Sequence, residues 1–349
     1  MEQMRIGGRF VGRGEPPFIV AEVGSNFNGD MDLCRRLIDE AKRCRADAVK
    51  FQSWSKRSLV SKAEYERNTR YSAAANGTTL EQEIERYQLT HEGHYEVADY
   101  CRKTGICFFS SCFSKEEVDL LDDLDVPAFK IASMDVNHLL LLRYVASKRR
   151  PVVLSTGLST LGEIEKAVVT LREGGAPCIL LLHCVSIYPS PAEIVNLRNM
   201  ASLETAFDCP VGYSDHSIGT SVPLAAVALG ACMIEKHFTL DKQMEGWDHA
   251  ISADPVELAY LVREARNVFA ALGTSERLLT SEQLNKRKAF RRRVVVSRAV
   301  KAGERLTLAD FDFKRPGTGI HPDEYGYLLG RAVNRDVECD EELEWSDVN

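Results

Sequence analysis

Ten cysteines are spread through the 349 residues, yet no two of them form a C-x-x-C pair. The spacing of a zinc cluster is absent too, so neither a structural zinc nor a redox dithiol is expected. Cys107, Cys178, Cys184 and Cys232 lie inside apolar segments, as small buried thiols of a reducing compartment do. Long apolar runs are missing as well: none reaches ten residues, too short for a membrane-spanning helix. The stretch Met1–Gly14 has no apolar signal core, so a cytoplasmic protein is expected, away from membranes. Basic charge is in deficit. The 44 Lys and Arg face 51 Asp and Glu, and a net charge of −7 disfavours nucleic acid as a partner. Against that trend, Lys286–Arg293 is locally basic; a solvated linker accounts for it better than an anion-facing surface. What remains, 44% hydrophobic and 27% charged residues, is the composition of a globular protein. The length suits one large domain and a small one.

The positive signal is a set of short apolar segments: Phe18–Gly24, Ala46–Gln52, Ile106–Cys112, Ala128–Ser133, Pro151–Gly157, Cys178–Cys184, Pro210–His216 and Ala231–His237. Most end in residues able to do chemistry, among them Glu22, Lys50, Gln52, Ser110, Ser111, Lys130, Ser133, Ser155, His183, Ser214, His216, Glu235 and His237. Apolar residues at helical spacing lie between them, as in Leu33–Ala41, Val118–Leu124, Leu139–Val145, Ile164–Leu171 and Val222–Leu229. Strands alternating with helices and ending in polar groups predict an α/β fold, a (β/α)8 TIM barrel with its active site at the strand C-termini. An enzyme is the expectation.

The stretch Lys56–Gln88 is longer and more polar than a strand-to-helix loop needs, which suggests a partial lid. A helix over Pro255–Leu272 closes the barrel. The predicted organisation is a barrel over 1–275, a charged linker over 276–290 and a small β-rich domain over 291–349. That last part contains a weak internal repeat: Val296, Arg298, Val300, Glu304, Leu306 and Asp310 correspond to Val333, Arg335, Val337, Glu341, Leu343 and Asp347.

His216 and His237 end consecutive strands, so a barrel sets them side by side. Two neutral imidazoles with oxygen ligands suit a divalent ion such as Mn²⁺; histidines bonded to backbone or carboxylate would look the same in sequence. Asp248 lies on the next loop and could add a carboxylate. Lys50 and Lys130 sit within strands, and an inward lysine must find an anion. With Ser133, Ser155 and Ser214 they make a phosphate or carboxylate cradle, unless each pairs with a structural acid. Glu22 could act as acid, base or orienting group. Glu235 could share the site or pair with a barrel lysine. Arg315, in a glycine-punctuated loop, suits a carbonyl, hydroxyl or carboxylate.

The ordered segments AEVGSNFNGD, ADAVKFQ, FKIAS, VVLSTGLSTL, LLHCVSIYPSP, VNLRNM, VGYSDHSIG, AAVALGA, IEKHFTLDK, DHAIS and KRPGTGI resemble the bacterial sialic acid synthase family, over nearly the whole chain. The small domain resembles the antifreeze-like (SAF) domain that these synthases carry. The resemblance implies condensation of phosphoenolpyruvate with an N-acylated hexosamine and water, releasing phosphate by C–O cleavage. It implies enolpyruvate on Lys50, Lys130, Ser133, Ser155 and Ser214, and Mn²⁺ (or Mg²⁺) on His216 and His237, with no organic cofactor. Gln52, Ser186, Tyr188, Asp248 and Arg315 would bind substrate, and Glu22 would position groups or move protons. Arg315 would come from the partner of a domain-swapped homodimer. The leading expectation is N-acetylneuraminate made from N-acetylmannosamine. The alternative is a legionaminate or pseudaminate synthase using a 2,4-diacetamido-trideoxyhexose. Rivals of other classes are an inactive sugar-acid-binding barrel and a Schiff-base aldolase, which would need a desolvated lysine without a neighbouring anion. Three positions depart from the family pattern: Met134-Asp135 after FKIAS, Phe27 in the first turn, and Phe113 after Ser111-Cys112 without the usual proline. They bear on the identity of the sugar.

Overall fold

Eight parallel strands close into a barrel: β3 (Phe18–Glu22), β4 (Ala48–Ser53), β5 (Cys107–Cys112), β6 (Phe129–Ile131), β7 (Val152–Ser155), β8 (Ile179–Cys184), β9 (Val211–Asp215) and β10 (Met233–His237). β10 pairs with β3 to complete the ring. The computed structural model describes residues 4–68, 79–315 and 317–349. The strands are buried on both faces, as a parallel sheet jacketed by helices requires, which is why they read as apolar runs rather than alternating ones. The chain divides into two compact units, Met1–Gly273 and Thr274–Asn349.

Local signals fix the helices. Asp30 caps Met31–Arg43 by accepting from the amides of Asp32 and Leu33. Thr160 and Glu163 form a capping box on Leu161–Gly174, and Asp254 and Glu257 do the same on Pro255–Leu272, with proline in the first turn. A hairpin of β1 (Met4–Ile6) and β2 (Arg9–Val11) precedes the barrel. Its turn residues Gly7 and Gly8 both have positive φ, and Met4, Ile6 and Val11 join the barrel's core cluster. Sequence reading missed this hairpin, along with the helix His91–Thr104.

The lid expectation over Lys56–Gln88 falls in part on residues 69–78, outside the described residues. The flanking parts form helices at Lys56–Leu59, Lys62–Arg67 and Leu80–Tyr87. Trp54, Leu80, Ile84 and Tyr87 bury one another in an apolar cluster of their own.

In the C-terminal unit, β11 (Arg293–Val296) pairs antiparallel with β12 (Phe311–Lys314). The internal repeat has a structural meaning. Val300 and Val337, equivalent positions of the two copies, exchange both backbone hydrogen bonds at 2.9 Å. Arg298 pairs with Glu304 and Asp310, and Arg335 pairs with Glu341 and Asp347. A local two-fold axis therefore passes between the two valines. The segment read as a linker contains a helix, Ser281–Phe290, with every side chain exposed. Its Thr280–Gln283 capping box and helix-favouring composition stabilise it without a buried face. None of the ten cysteines forms a disulfide, and no helix among the described residues is long and apolar enough to cross a membrane.

Candidate active site

Residues at the C-terminal ends of the strands line a cavity of about 380 Å³. Every predicted site residue of the barrel reaches it: Glu22, Lys50, Gln52, Lys130, Ser133, Ser155, Ser186, Tyr188, Ser214, His216, His237 and Asp248. Strand alternation explains the selection. Along β5, Ser111 faces the cavity, whereas Ser110 points outward to a hydrogen bond from Ser53.

The floor is a buried charge cluster. Lys50 and Glu22 are cross-strand neighbours in register, with Nζ and Oε2 2.7 Å apart. Lys50 also donates to Ser111 at 3.2 Å. Lys130 donates to Ser155 Oγ at 2.6 Å and to the Ile131 carbonyl at 3.2 Å. Glu235 lies between the two lysines, 3.8 Å from Lys50 Nζ and 3.9 Å from Lys130 Nζ, and accepts a hydrogen bond from Ser214 at 2.9 Å. Two ammonium groups and two carboxylates thus balance in a space where neither sign could be buried alone. Their protonation diverges. Burial pushes the Glu22 carboxyl up to about 7, against the pull of Lys50 and with the push of Glu235. Burial acts the same way on Glu235, but Lys130 and Lys50 outweigh it and bring it down to about 2. Burial also lowers Lys130, despite the attraction of Glu235. One carboxyl that exchanges protons near neutrality and one that stays ionised make a division of labour.

Beside the cluster, the rings of His216 and His237 lie 5.5 Å apart, with the Tyr188 ring 4.1 Å from His216 and 6.2 Å from His237. His216 Nδ1 is 2.8 Å from the Val185 carbonyl; donating there fixes the tautomer and leaves Nε2 with a free lone pair. His237 Nδ1 is buried without a hydrogen bond, and Asp248 Oδ2 is 3.6 Å away. Burial brings His237 down to about 4, so it stays neutral and able to ligate at ordinary pH. Burial would lower His216 as well, but its contact with Cys184 outweighs burial and raises it. The His216 ring, the neutral His237 with its orphaned nitrogen and the nearby carboxylate together offer donors that fit a divalent transition ion. No group of three His, Cys, Asp or Glu among the described residues is gathered for a metal, so such an ion would need oxygen ligands from substrate or water.

Gln52 bridges inward and outward: its Nε2 donates to Glu22 at 2.8 Å, while its Oε1 accepts from Trp54 at 3.1 Å. Gly157 leaves room for two hydroxyls, because a Cβ there would lie 2.5 Å from Ser186 Oγ and 2.9 Å from Ser133 Oγ. Arg315 belongs to the C-terminal unit, where its guanidinium sits 5.2 Å from the Phe290 ring centroid; the adjoining Pro316 is outside the described residues.

The sequence reading left the place of Glu235 open and gave none to Cys184 or Leu158, all three of which line the cavity. Glu235 was recognisable from its two-residue offset from His237; Cys184 and Leu158 carried no comparable signal. Phe113 and Met134, noted as departures, also line the cavity. Phe27 does not; it is buried with its ring against Phe51. His183 bonds to the Val195 carbonyl and His249 to Thr239, both as structural histidines.

The chain matches the NeuB family over residues 37–277 and the SAF domain over residues 291–349. It is 44% identical to an uncharacterised protein of Methanocaldococcus jannaschii, across 100% of this chain and 99% of that one. It is 39% identical to an N,N'-diacetyllegionaminic acid synthase of Campylobacter jejuni, across 93% and 97% of the two chains. The crystal structure of an N-acetylneuraminic acid synthetase from Leptospira borgpetersenii superposes with a TM-score of 0.73 at 33% identity, over 83% of this chain and 97% of the other.

Proposed function

The chain belongs to the NeuB family of nonulosonic acid synthases, and on that premise we propose that it condenses phosphoenolpyruvate with the open-chain aldehyde of an N-acylated hexosamine. Carbon 3 of the enolpyruvate bonds to the aldehyde carbon, and water adds at carbon 2. The C2–O bond then breaks, and phosphate leaves with the bridging oxygen.

Lys50 and Lys130, with the Ser133, Ser155 and Ser214 hydroxyls, hold the carboxylate and phosphate of the enolpyruvate. Ionised Glu235, between the lysines, offsets the positive charge that develops at carbon 2. Glu22, poised near neutrality, takes the proton that the adding water loses, and Gln52 and Lys50 hold it in place. A divalent ion on His216 and His237, Mn²⁺ for preference, would supply Lewis acidity to the aldehyde oxygen. Gln52, Ser186, Tyr188 and Asp248 face the sugar. Arg315, on the C-terminal unit, completes the sugar site of a second copy of the chain in a swapped dimer.

The observation that carries this reading is the joint presence, in one cavity, of a lysine pair dressed with hydroxyls and a histidine pair. A Schiff-base aldolase fits poorly, because each lysine already has a carboxylate within 4 Å. N-acetylmannosamine is the reference sugar. A second sugar is favoured by the apolar side chains of Phe113, Met134 and Leu158 on the cavity wall, the latter two 58% and 75% exposed. They suit a 2,4-diacetamido-trideoxyhexose, which presents methyl groups where N-acetylmannosamine presents hydroxyls. The test is phosphate release from phosphoenolpyruvate with Mn²⁺ and each sugar in turn. Release with at least one is expected; none with any N-acylated hexosamine would sink the reading.

A further inference from the structure

Behind the histidines, on the side of the strands away from the cavity, lies a second ion pair. Asp215 and Lys236 are paired in register on β9 and β10, each immediately preceding one of the two histidines. Side chains alternate along a strand, so Ser214, His216, Glu235 and His237 face the cavity, while Asp215 and Lys236 face the other way. Lys236 Nζ lies 2.6 Å from Asp215 Oδ2 and donates to the Ser217 carbonyl at 2.7 Å. Asp215 Oδ1 accepts from the Ser217 amide at 2.9 Å, the Ser217 hydroxyl at 2.7 Å and the Tyr213 hydroxyl at 3.1 Å. The side chains of the pair are 1% and 0% exposed. Both backbone neighbours of His216 are therefore tied to the residue that precedes His237.

Stability alone does not account for such a pair. Withdrawing two charges from water costs about as much as their attraction returns, and a hydrophobic pair of similar volume is often equally stable. What the ion pair adds is direction. It locks the ends of β9 and β10 together from outside, while the Ser214–Glu235 hydrogen bond locks them from inside. Between these two ties the imidazoles are held 5.5 Å apart.

We propose that Asp215 and Lys236 are positioning residues that preset the His216–His237 pair for a divalent cation. The inference rests on the metal reading given above. Metal-site supports of this kind typically change affinity by about 10–100-fold when lost.

The test uses the full-length chain stripped of metal. Mn²⁺ affinity is read from the electron paramagnetic resonance of free Mn²⁺, phosphoenolpyruvate affinity by calorimetry without metal, and folding from Tm. For the double variant Asp215→Leu/Lys236→Met, the expected result is an unchanged or higher Tm, an unchanged phosphoenolpyruvate Kd, and a Mn²⁺ Kd weakened about 10–100-fold. A folded double variant with wild-type Mn²⁺ affinity would overturn the proposal. If that variant does not fold, Asp215→Asn takes its place, since it keeps the shape and an acceptor oxygen for Ser217 and Tyr213 but removes the charge that pairs with Lys236. A weaker Mn²⁺ Kd is expected there, and an unchanged one again overturns the proposal. His216→Ala and His237→Ala separate the two readings. If they leave Mn²⁺ binding intact, or the wild type binds none, the metal reading itself fails. If they abolish binding and the pair variants do not weaken it, only the positioning role fails.

Discussion

Glu22 and Lys50 face each other across β3 and β4, their charged atoms 2.7 Å apart and their side chains 1% and 3% exposed. Removing the ammonium leaves Glu22 buried without its counter-ion and deprives Glu235 of one of its two. Breaking a buried pair in this way costs about 3–5 kcal/mol. Lys50→Met is therefore expected to lower the urea midpoint by that equivalent and to weaken phosphoenolpyruvate binding in calorimetry. The double variant Lys50→Met/Glu22→Gln should recover most of the stability and none of the binding. Equal recovery of both would make the pair purely structural.

His94 gives the fold a distinct acid sensitivity. It is buried beside β4, with Nδ1 2.7 Å from the Thr90 carbonyl and Nε2 2.7 Å from Ser53 Oγ. Burial brings it down to about 4 from the ordinary 6.5. Between those values the unfolded chain binds a proton that the folded chain refuses, so stability falls as pH drops through that window. The difference corresponds to about 3 kcal/mol. His94→Gln, which cannot charge, is expected to flatten the denaturation midpoint between pH 6.5 and pH 4. A variant with the same acid slope as the wild type would exclude His94 as the source.

Much of this architecture was legible in the sequence because barrel strands are short, apolar and end in polar residues. Lys50, Lys130, His216 and His237 declared themselves by lying within or at the end of such segments. The pairing of Arg298 with Asp310 and of Arg335 with Asp347 was legible as a repeat, although the sequence did not say that the two copies meet at Val300 and Val337. Glu235 was legible only as two open readings, a place in the site or a pairing with a barrel lysine; that both hold, with two lysines, depends on three strands that are distant in the chain. The Ser281–Phe290 helix was missed because it buries nothing and so shows no apolar face.

Trp247 precedes Asp248, and its ring stacks on Trp54 at 5.9 Å and meets Tyr87 edge-on at 5.1 Å. Trp54 in turn donates to Gln52. One aromatic cluster therefore adjoins Gln52 and Asp248, two of the side chains proposed to face the sugar. Trp247→Ala should raise the sugar KM on the order of tenfold, since small misplacements of binding groups are costly. The phosphoenolpyruvate KM should stay unchanged, and Trp247→Phe, which keeps an aromatic partner, should restore the sugar KM. Equal increases in both KM values would mean general loosening of the barrel mouth.

The proposed role of Arg315 makes a prediction about whether the site is complete in one chain. Arg315 belongs to the C-terminal unit, whereas every other predicted site residue belongs to the barrel unit. Arg315→Ala and Lys130→Met are each expected to abolish turnover, for different reasons. On the proposed function the first would remove a sugar ligand, and the second an ammonium of the enolpyruvate cradle. In a swapped two-fold dimer, a heterodimer of the two variants holds one site with both defects and one with neither. Random exchange then makes half the dimers mixed, with half their sites working, so roughly a quarter of wild-type activity should return. If each Arg315 served its own barrel, every site in the mixture would carry one defect and activity would stay absent. Phosphate release before and after subunit exchange, with exchange itself verified by differently tagged chains, separates the two cases.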